Sequence, residues 1–370
     1  MAGFRLRVVS CAALLAAFGA LSACGGGNGS TAGTVGSVDT SKSCKQQFNP
    51  DKAAAGDDCS PTYGQYCQNT DAGGSVLTND QSVNACDGVT LSTGSVTAGN
   101  LTSDYVVAAP SNPPADSPIY IALHWAEANG PTLVNRMRLA ELAKGRGVTV
   151  VAPTAPGPIQ TWGNSVVVPT STVADRVAVI DALITQIQNG GSAKAASNRP
   201  VVIAGVSGGG VLAYEYACAH ADRIAGELLV AAEITPSDFS SCNPSRPIAS
   251  VQVMGTNDLV ALYNATPVLS AGAEPVFESL AANNGCDLSK AKTATLPPAS
   301  SDVGISGIEV KWINACSSGL GSALVTIQGG GHNWPGSVGP LNSPVTLFGP
   351  RSMGFDATLQ GYDLLRYLGG

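Results

Sequence analysis

Gly205-Val206-Ser207-Gly208-Gly209 follows the apolar run Val201-Val202-Ile203-Ala204 and leads into the small-residue stretch Gly210 to His220. A buried strand, a tight glycine-flanked turn centred on a serine, and a helix form one unit. The turn leaves no room for side chains beside the serine, hence the flanking glycines. It would lift the Ser207 hydroxyl to a helix N-terminus, where free N–H groups and the helix dipole favour developing negative charge. Glycine fills 44 of 370 positions, so the pentapeptide alone is weakly specific. The strand before it and the helix after it carry the inference.

A nucleophilic serine needs a base and an orienting acid. The chain has three histidines, so the base follows by elimination. His220 stands at the far end of the helix after Ser207, about 20 Å away at about 1.5 Å per residue. His124 ends the strand-like run Pro118 to Leu123, directly before Trp125. His332 remains, in Gly329-Gly330-Gly331-His332-Asn333-Trp334-Pro335-Gly336 after the last strand-like run, Ala323 to Gln328. The acid should lie in a loop between them. Asp258, in Gly255-Thr256-Asn257-Asp258 after the run Ile248 to Met254, fits; Asp238, Asp287 and Asp302 fit less well. The resulting order is Ser207, Asp258, His332. The Gly208 N–H and a backbone N–H of Trp125 or Ala126, Trp125 first, would bind the oxyanion.

Outward from this centre, apolar runs alternate with helical periodicities at Leu133–Arg146, Thr172–Gln188 and Asp356–Leu368. Such alternation predicts an α/β fold with a mainly parallel sheet and helices on both faces. Val89–Leu91 and Tyr105–Ala109, joined by a polar turn, predict an antiparallel edge.

The N-terminus carries Arg5 and Arg7, a short apolar run from Val8 to Leu21, and Leu21-Ser22-Ala23-Cys24. This is the layout of an export signal, with a lipobox-like junction. It predicts a lipoprotein signal peptide at 1–23, lipidation at Cys24, a flexible tether at 24–43, a cysteine-rich segment at 44–88 and a catalytic domain at 89–370. Gly25 in place of an aspartate points to the outer membrane of a Gram-negative envelope, the alternative being an extracellular protein. Apart from Cys11 and Cys24, eight cysteines remain, an even number as disulfides require. The four from Cys44 to Cys86 are expected to pair among themselves, and the others as Cys218–Cys242 and Cys286–Cys316 by proximity. No Cys-x-x-Cys, phosphate loop or dinucleotide fingerprint occurs, so no metal or other cofactor is expected. Charged residues make up 12%, with net charge −7, which argues against a nucleic-acid partner.

The segments Leu123-His124, Gly205 to Gly209, Gly255 to Asp258 and Gly329 to Gly336 resemble the polyhydroxybutyrate depolymerase / feruloyl esterase group of α/β-hydrolases. The resemblance runs from about Val89 to the C-terminus. It implies a secreted serine esterase with Ser207 as nucleophile, Asp258 as acid and His332 as base. This chain has His124-Trp125 where the group has His-Gly, and Ser207-Gly208-Gly209 where it often has Ser-Ala-Gly. His124, Trp162 and Trp334 are expected to contact substrate. The favoured substrate is a polyhydroxyalkanoate polyester or its oligomers, and the alternative a feruloyl or acetyl-xylan ester. A peptidase, or a non-catalytic surface lipoprotein on the same fold, are further readings.

Overall fold

In the computed structural model, residues 34–67, 79–114, 116–162, 172–190, 199–341 and 348–369 are described. The expected leader at 1–23, the acylation site Cys24 and the first half of the tether lie outside them.

Ten strands form one sheet in the order β1-β2-β4-β3-β5-β6-β7-β10-β9-β8. β1 (Val89–Ala98) and β2 (Leu101–Pro110) are an antiparallel hairpin at one edge. β3 (Ile119–Leu123), β4 (Thr149–Pro153), β5 (Val201–Val206), β6 (Gly226–Val230) and β7 (Ala249–Gly255) run parallel, and β10 (Ser322–Gln328) runs parallel to β7. β8 (Lys292–Leu296) and β9 (Gly307–Ile313) close the other edge antiparallel.

Every residue of β3 to β7 is buried, because helices cover both faces of the sheet. The period-two alternation of a strand divides the core. Tyr120, Ala122, Val202 and Ala204 pack with Leu142 of α3 (Leu139–Arg146) and Leu365 of α8 (Leu359–Leu368). Ile119, Ile121, Val201 and Ile203 pack with Ile180 and Leu183 of α4 (Val173–Asn189) and with Leu212 of α5 (Gly208–His220). α7 (Ala273–Asn283) covers β10 through Phe277, Ala281 and Leu324. Short helices α1 (Pro50–Ala54), α2 (Gly130–Arg136) and α6 (Pro236–Ser241) complete the order.

The periodicity of Leu133–Arg146 predicts one helix, but the chain forms α2 and α3 with a break at Arg138. Arg138 adopts a left-handed φ of 55°. Its guanidinium pairs with Glu141 at 2.7 Å and with Asp356, and it donates to the Gly336 carbonyl at 3.0 Å. A charge this buried requires such partners, and reaching them fixes the backbone kink.

Four disulfides join Cys44–Cys59, Cys67–Cys86, Cys218–Cys242 and Cys286–Cys316. The cysteine-rich segment shares the main core: Phe48 is buried against Phe355, with ring centroids 5.8 Å apart. The Phe48 N–H donates to Asp363 of α8 at 2.9 Å, and Arg146 pairs with the same carboxylate at 2.6 Å.

Candidate active site

β5 delivers Ser207 at its carboxyl end, and α5 starts one residue later. Ser207 has φ 56° and ψ −127°, a conformation that L-residues hold only under constraint. The constraint is visible: the Ser207 N–H donates to Val230 of β6 at 3.0 Å, and its carbonyl accepts from Val211 at 3.0 Å. A β-carbon at position 209 would overlap the Leu123 and His124 carbonyls, so the elbow packs directly on the end of β3 only with glycine there. As first residue of α5, Gly208 has no intrahelical acceptor for its N–H, which is therefore available at the serine.

Two strands away, β7 ends at Gly255. A β-carbon there would overlap the Gly330 carbonyl, and this close approach joins the loops after β7 and β10. Asn257 donates to Gly330 at 2.8 Å and Gly329 to the Thr256 hydroxyl at 2.8 Å. The result is a buried pair: His332 Nδ1 donates to Asp258 Oδ2 at 2.8 Å. Asp258 Oδ1 accepts from the N–H groups of Val260 at 2.8 Å and Ala261 at 2.7 Å. The carboxylate thus fixes both the imidazole and the start of its own loop. His332 Nε2 makes no hydrogen bond to a described residue. The other aspartates are engaged elsewhere: Asp238 shares a cap of α6 with Thr235, Asp287 accepts from Ser289, and Asp302 binds Ser352 and Met353. His220 stacks on Tyr216 at 5.0 Å, at the far end of α5.

The expected substrate contacts at His124, Trp162 and Trp334 require correction, because all three side chains are buried. His124 is fully enclosed. Its Nε2 accepts from the Ala155 N–H at 2.9 Å, so Nδ1 carries the hydrogen and donates to the Trp125 carbonyl at 2.6 Å. Burial, opposed by that backbone bond, lowers its pKa to about 4 and keeps it neutral. Trp162 packs on the His124 ring at 5.5 Å, and Trp334 donates from Nε1 to the Thr358 hydroxyl at 3.0 Å. These residues build the wall behind the site and offer no face to a ligand.

The oxyanion expectation at Trp125 changes as well. The His124 carbonyl lies against Gly209. The Trp125 N–H, trans to it across the same peptide plane, faces away from the elbow. The Trp125 carbonyl accepts from His124, so the Ala126 N–H, trans to it across the next peptide plane, points away from that ring.

Glu233, three residues past β6, was not legible in the sequence, because no motif surrounds it. Its Oε1 accepts from Leu262 at 3.3 Å, in the loop that Asp258 opens. Burial raises its pKa and the Leu262 N–H bond opposes the rise; the Asp258 charge adds to it and His332 lowers it.

Residues 106–337 match the family model described as "Alpha/beta hydrolase family". Over 275 residues the chain is 26% identical to NocK of Nocardia uniformis subsp. tsuyamanensis, to which an esterase assignment is attached; the match covers 70% of this chain and 78% of that protein. Over 189 residues it is 29% identical to feruloyl esterase B of Piromyces equi, covering 48% of this chain and 32% of that protein. Among solved structures, an acetyl xylan esterase from Aspergillus awamori aligns with a TM-score of 0.46 and 16% identity, over 70% of this chain and 98% of that one. A feruloyl esterase module from Clostridium thermocellum complexed with sinapinate aligns with a TM-score of 0.46 and 15% identity, over 82% and 93%.

Proposed function

The chain belongs to the alpha/beta hydrolase family, and from that premise we propose that it is an exported serine esterase whose substrate is a hydroxyalkanoate polyester or its oligomers. The observation that carries this reading is the Ser207 elbow at the N-terminus of α5, combined with the 2.8 Å Asp258–His332 bond on the same end of the sheet.

In the proposed reaction His332 Nε2 takes the proton of Ser207 as Oγ attacks the ester carbonyl. Asp258 holds the Nδ1–H tautomer and stabilises the imidazolium. The Gly208 and Ala126 N–H groups receive the oxyanion. The tetrahedral intermediate expels the alcohol, which leaves with the proton from His332, and the acyl group stays on Ser207. Water, deprotonated by His332, then attacks the acyl-enzyme; the acid departs and the proton returns to Ser207.

The polyester preference is supported by the resemblance of the four motif segments. It is also supported by the absence of aromatic rings from the large exposed apolar side chains among the described residues. A feruloyl or acetyl-xylan ester is the second reading, favoured by the similarity to feruloyl esterase B. The export signal at 1–23 and lipidation of Cys24 belong to the same proposal, and four disulfides support an oxidising compartment.

Hydrolysis of p-nitrophenyl butyrate by the wild type, and its loss in Ser207→Ala, is the primary test. A wild type inactive on all short-chain p-nitrophenyl esters, or an active Ser207→Ala protein, rejects the reading. Hydroxybutyrate oligomers compared with methyl ferulate separate the two substrate classes. Fatty-acid labelling that disappears in Cys24→Ala tests the anchor.

A further inference from the structure

Asn333 follows His332 directly, and its side chain is buried. Its Nδ2 donates to the carbonyls of Phe348 at 3.1 Å, Gly349 at 3.0 Å and Pro350 at 3.4 Å, and its Oδ1 accepts from the Leu341 N–H at 3.3 Å. The Gly331 N–H adds a bond to the Pro350 carbonyl at 2.8 Å. Two glycines permit so close an approach. A β-carbon on Gly331 would overlap the Phe348 carbonyl, and Gly349 takes a left-handed φ of 67° with its Cβ position 3.0 Å from the Gly331 Cα. Phe348-Gly349-Pro350 is therefore pressed against the turn Gly331-His332-Asn333.

The Phe348 ring packs on the His332 imidazole, with centroids 5.7 Å apart and planes at 43°. The imidazole needs such a neighbour. Its bond to Asp258 is a single hydrogen bond at 2.8 Å. A hydrogen bond weakens steeply only below about 120°, so one bond tolerates roughly 30° of swing. A reacting group has to be held within about 10–20° of its productive geometry. A flat ring packed on the imidazole closes that gap by blocking the swing toward it, and it keeps water off the same face. Phe348 is itself only half-buried, so packing in the core does not hold it. Its backbone is held instead by Asn333, the residue beside the histidine. Neither large loop ring substitutes for it: Trp162 packs on His124, and Trp334 is turned to Thr358.

We propose that Asn333 and Phe348 are positioning residues for His332: Asn333 fixes the Phe348 backbone, and the Phe348 ring sets the plane of the imidazole. This role rests on the esterase reading of Ser207, Asp258 and His332. Both residues act through the histidine, so their loss should lower kcat and leave KM in place.

With p-nitrophenyl butyrate, Phe348→Ala should lower kcat about ten-fold and keep KM within about two-fold. Phe348→Leu keeps apolar bulk, and with it the fold, but has no flat ring; it should still lose about five-fold in kcat, whereas Phe348→Tyr should return to within about two-fold of wild type. Asn333→Ala should also lower kcat about ten-fold, yet cost less than about two-fold more when Phe348→Ala is already present, because both act through one ring. Carbethoxylation of His332 by diethyl pyrocarbonate, followed by peptide mass, reads the same shielding without turnover: Phe348→Ala should accelerate it several-fold and Phe348→Tyr should not. A Phe348→Leu enzyme with wild-type kcat overturns the proposal, and so does a loss confined to KM. Full additivity of Asn333→Ala and Phe348→Ala, or an unchanged rate of His332 modification, overturns it as well. A wild type that hydrolyses no ester, but whose His332 is still unshielded by Phe348→Ala, would sink the esterase reading alone.

Discussion

Asp258→Asn separates the two jobs that one carboxylate does. Oδ1 holds the loop through Val260 and Ala261 at 2.8 and 2.7 Å, and Oδ2 holds His332 Nδ1 at 2.8 Å. In asparagine the amide oxygen can keep the Oδ1 bonds, so the loop should stay in place and stability should change by no more than about 1 kcal/mol. The amide nitrogen then faces Nδ1 and can only donate. The imidazole must accept there, moving its hydrogen to Nε2, and an Nε2–H cannot take the Ser207 proton. In Ser-His-Asp enzymes this tautomer error costs about 10⁴ in kcat, about 5.5 kcal/mol of transition-state stabilisation. Asp258→Ala should lose the same activity and, in addition, about 1–3 kcal/mol of stability from the freed N–H groups, of which that of Ala261 lies in a buried residue. Saturating p-nitrophenyl butyrate turnover and urea unfolding on both variants give the two readouts. An Asp258→Asn enzyme keeping more than about a tenth of wild-type kcat refutes the assignment. Glu233 is then the acid to examine, since it holds the loop that Asp258 opens at Leu262, and adding Glu233→Gln would have to remove the residual activity.

Glu227 on β6 is fully buried with one Ser250 bond at 3.0 Å, and burial pushes its pKa from 4.5 to about 8. The folded state therefore keeps a proton that the unfolded chain releases, so stability falls as pH rises from about 4.5 and levels off above about 8, a loss on the order of 4 kcal/mol; in Glu227→Gln, urea unfolding at pH 5, 6.5 and 8 should show that slope flattened and stability gained at pH 8. His124→Ala frees the Trp125 carbonyl and the Ala155 N–H and should lower kcat by about 10²–10³ through a misplaced Ala126 donor, with KM for a soluble ester little changed; His124→Asn, which can donate to the carbonyl, should recover part of it. Cys218→Ser with Cys242→Ser opens a loop spanning 24 residues and should cost about 3 kcal/mol in urea unfolding, while leaving kcat at 25 °C near wild type.

The parallel strands were legible because helices cover both sides of them, which writes continuous apolar runs such as Val201–Ala204 into the sequence. β8 and β9 escaped for the opposite reason. They lie at an edge, one face of Lys292–Leu296 meets solvent, and Glu309 and Lys311 interrupt β9. The placing of Ser207, Asp258 and His332 at one end of the sheet was legible because each lies in the turn or loop that follows a strand of that sheet. What the tryptophans do was not: a tryptophan in a loop reads alike whether its ring meets a ligand or, as Trp334 does, a threonine 24 residues away. The helix break at Arg138 was equally hidden, since its partner Asp356 lies 218 positions distant.

That distant partner shows what holds His332. Gly336 and Asp356 both follow His332 in the chain after β10, and Arg138 binds both. The Tyr63 ring packs on the Arg138 guanidinium at 4.5 Å, and the Tyr63 hydroxyl donates to the Met353 carbonyl at 2.8 Å. One step further along, Gln360 donates to the Cys59 carbonyl at 2.6 Å, and Cys59 is tied to Cys44. A buried guanidinium that loses one partner costs about 3–5 kcal/mol, so each bond in this chain of contacts depends on the others being made. Because Tyr63 and Cys59 supply two of them, the stapled segment acts as the outer brace of the His332 loop. The Cys44–Cys59 bridge limits the freedom of that brace, and through it the freedom of the His332 loop.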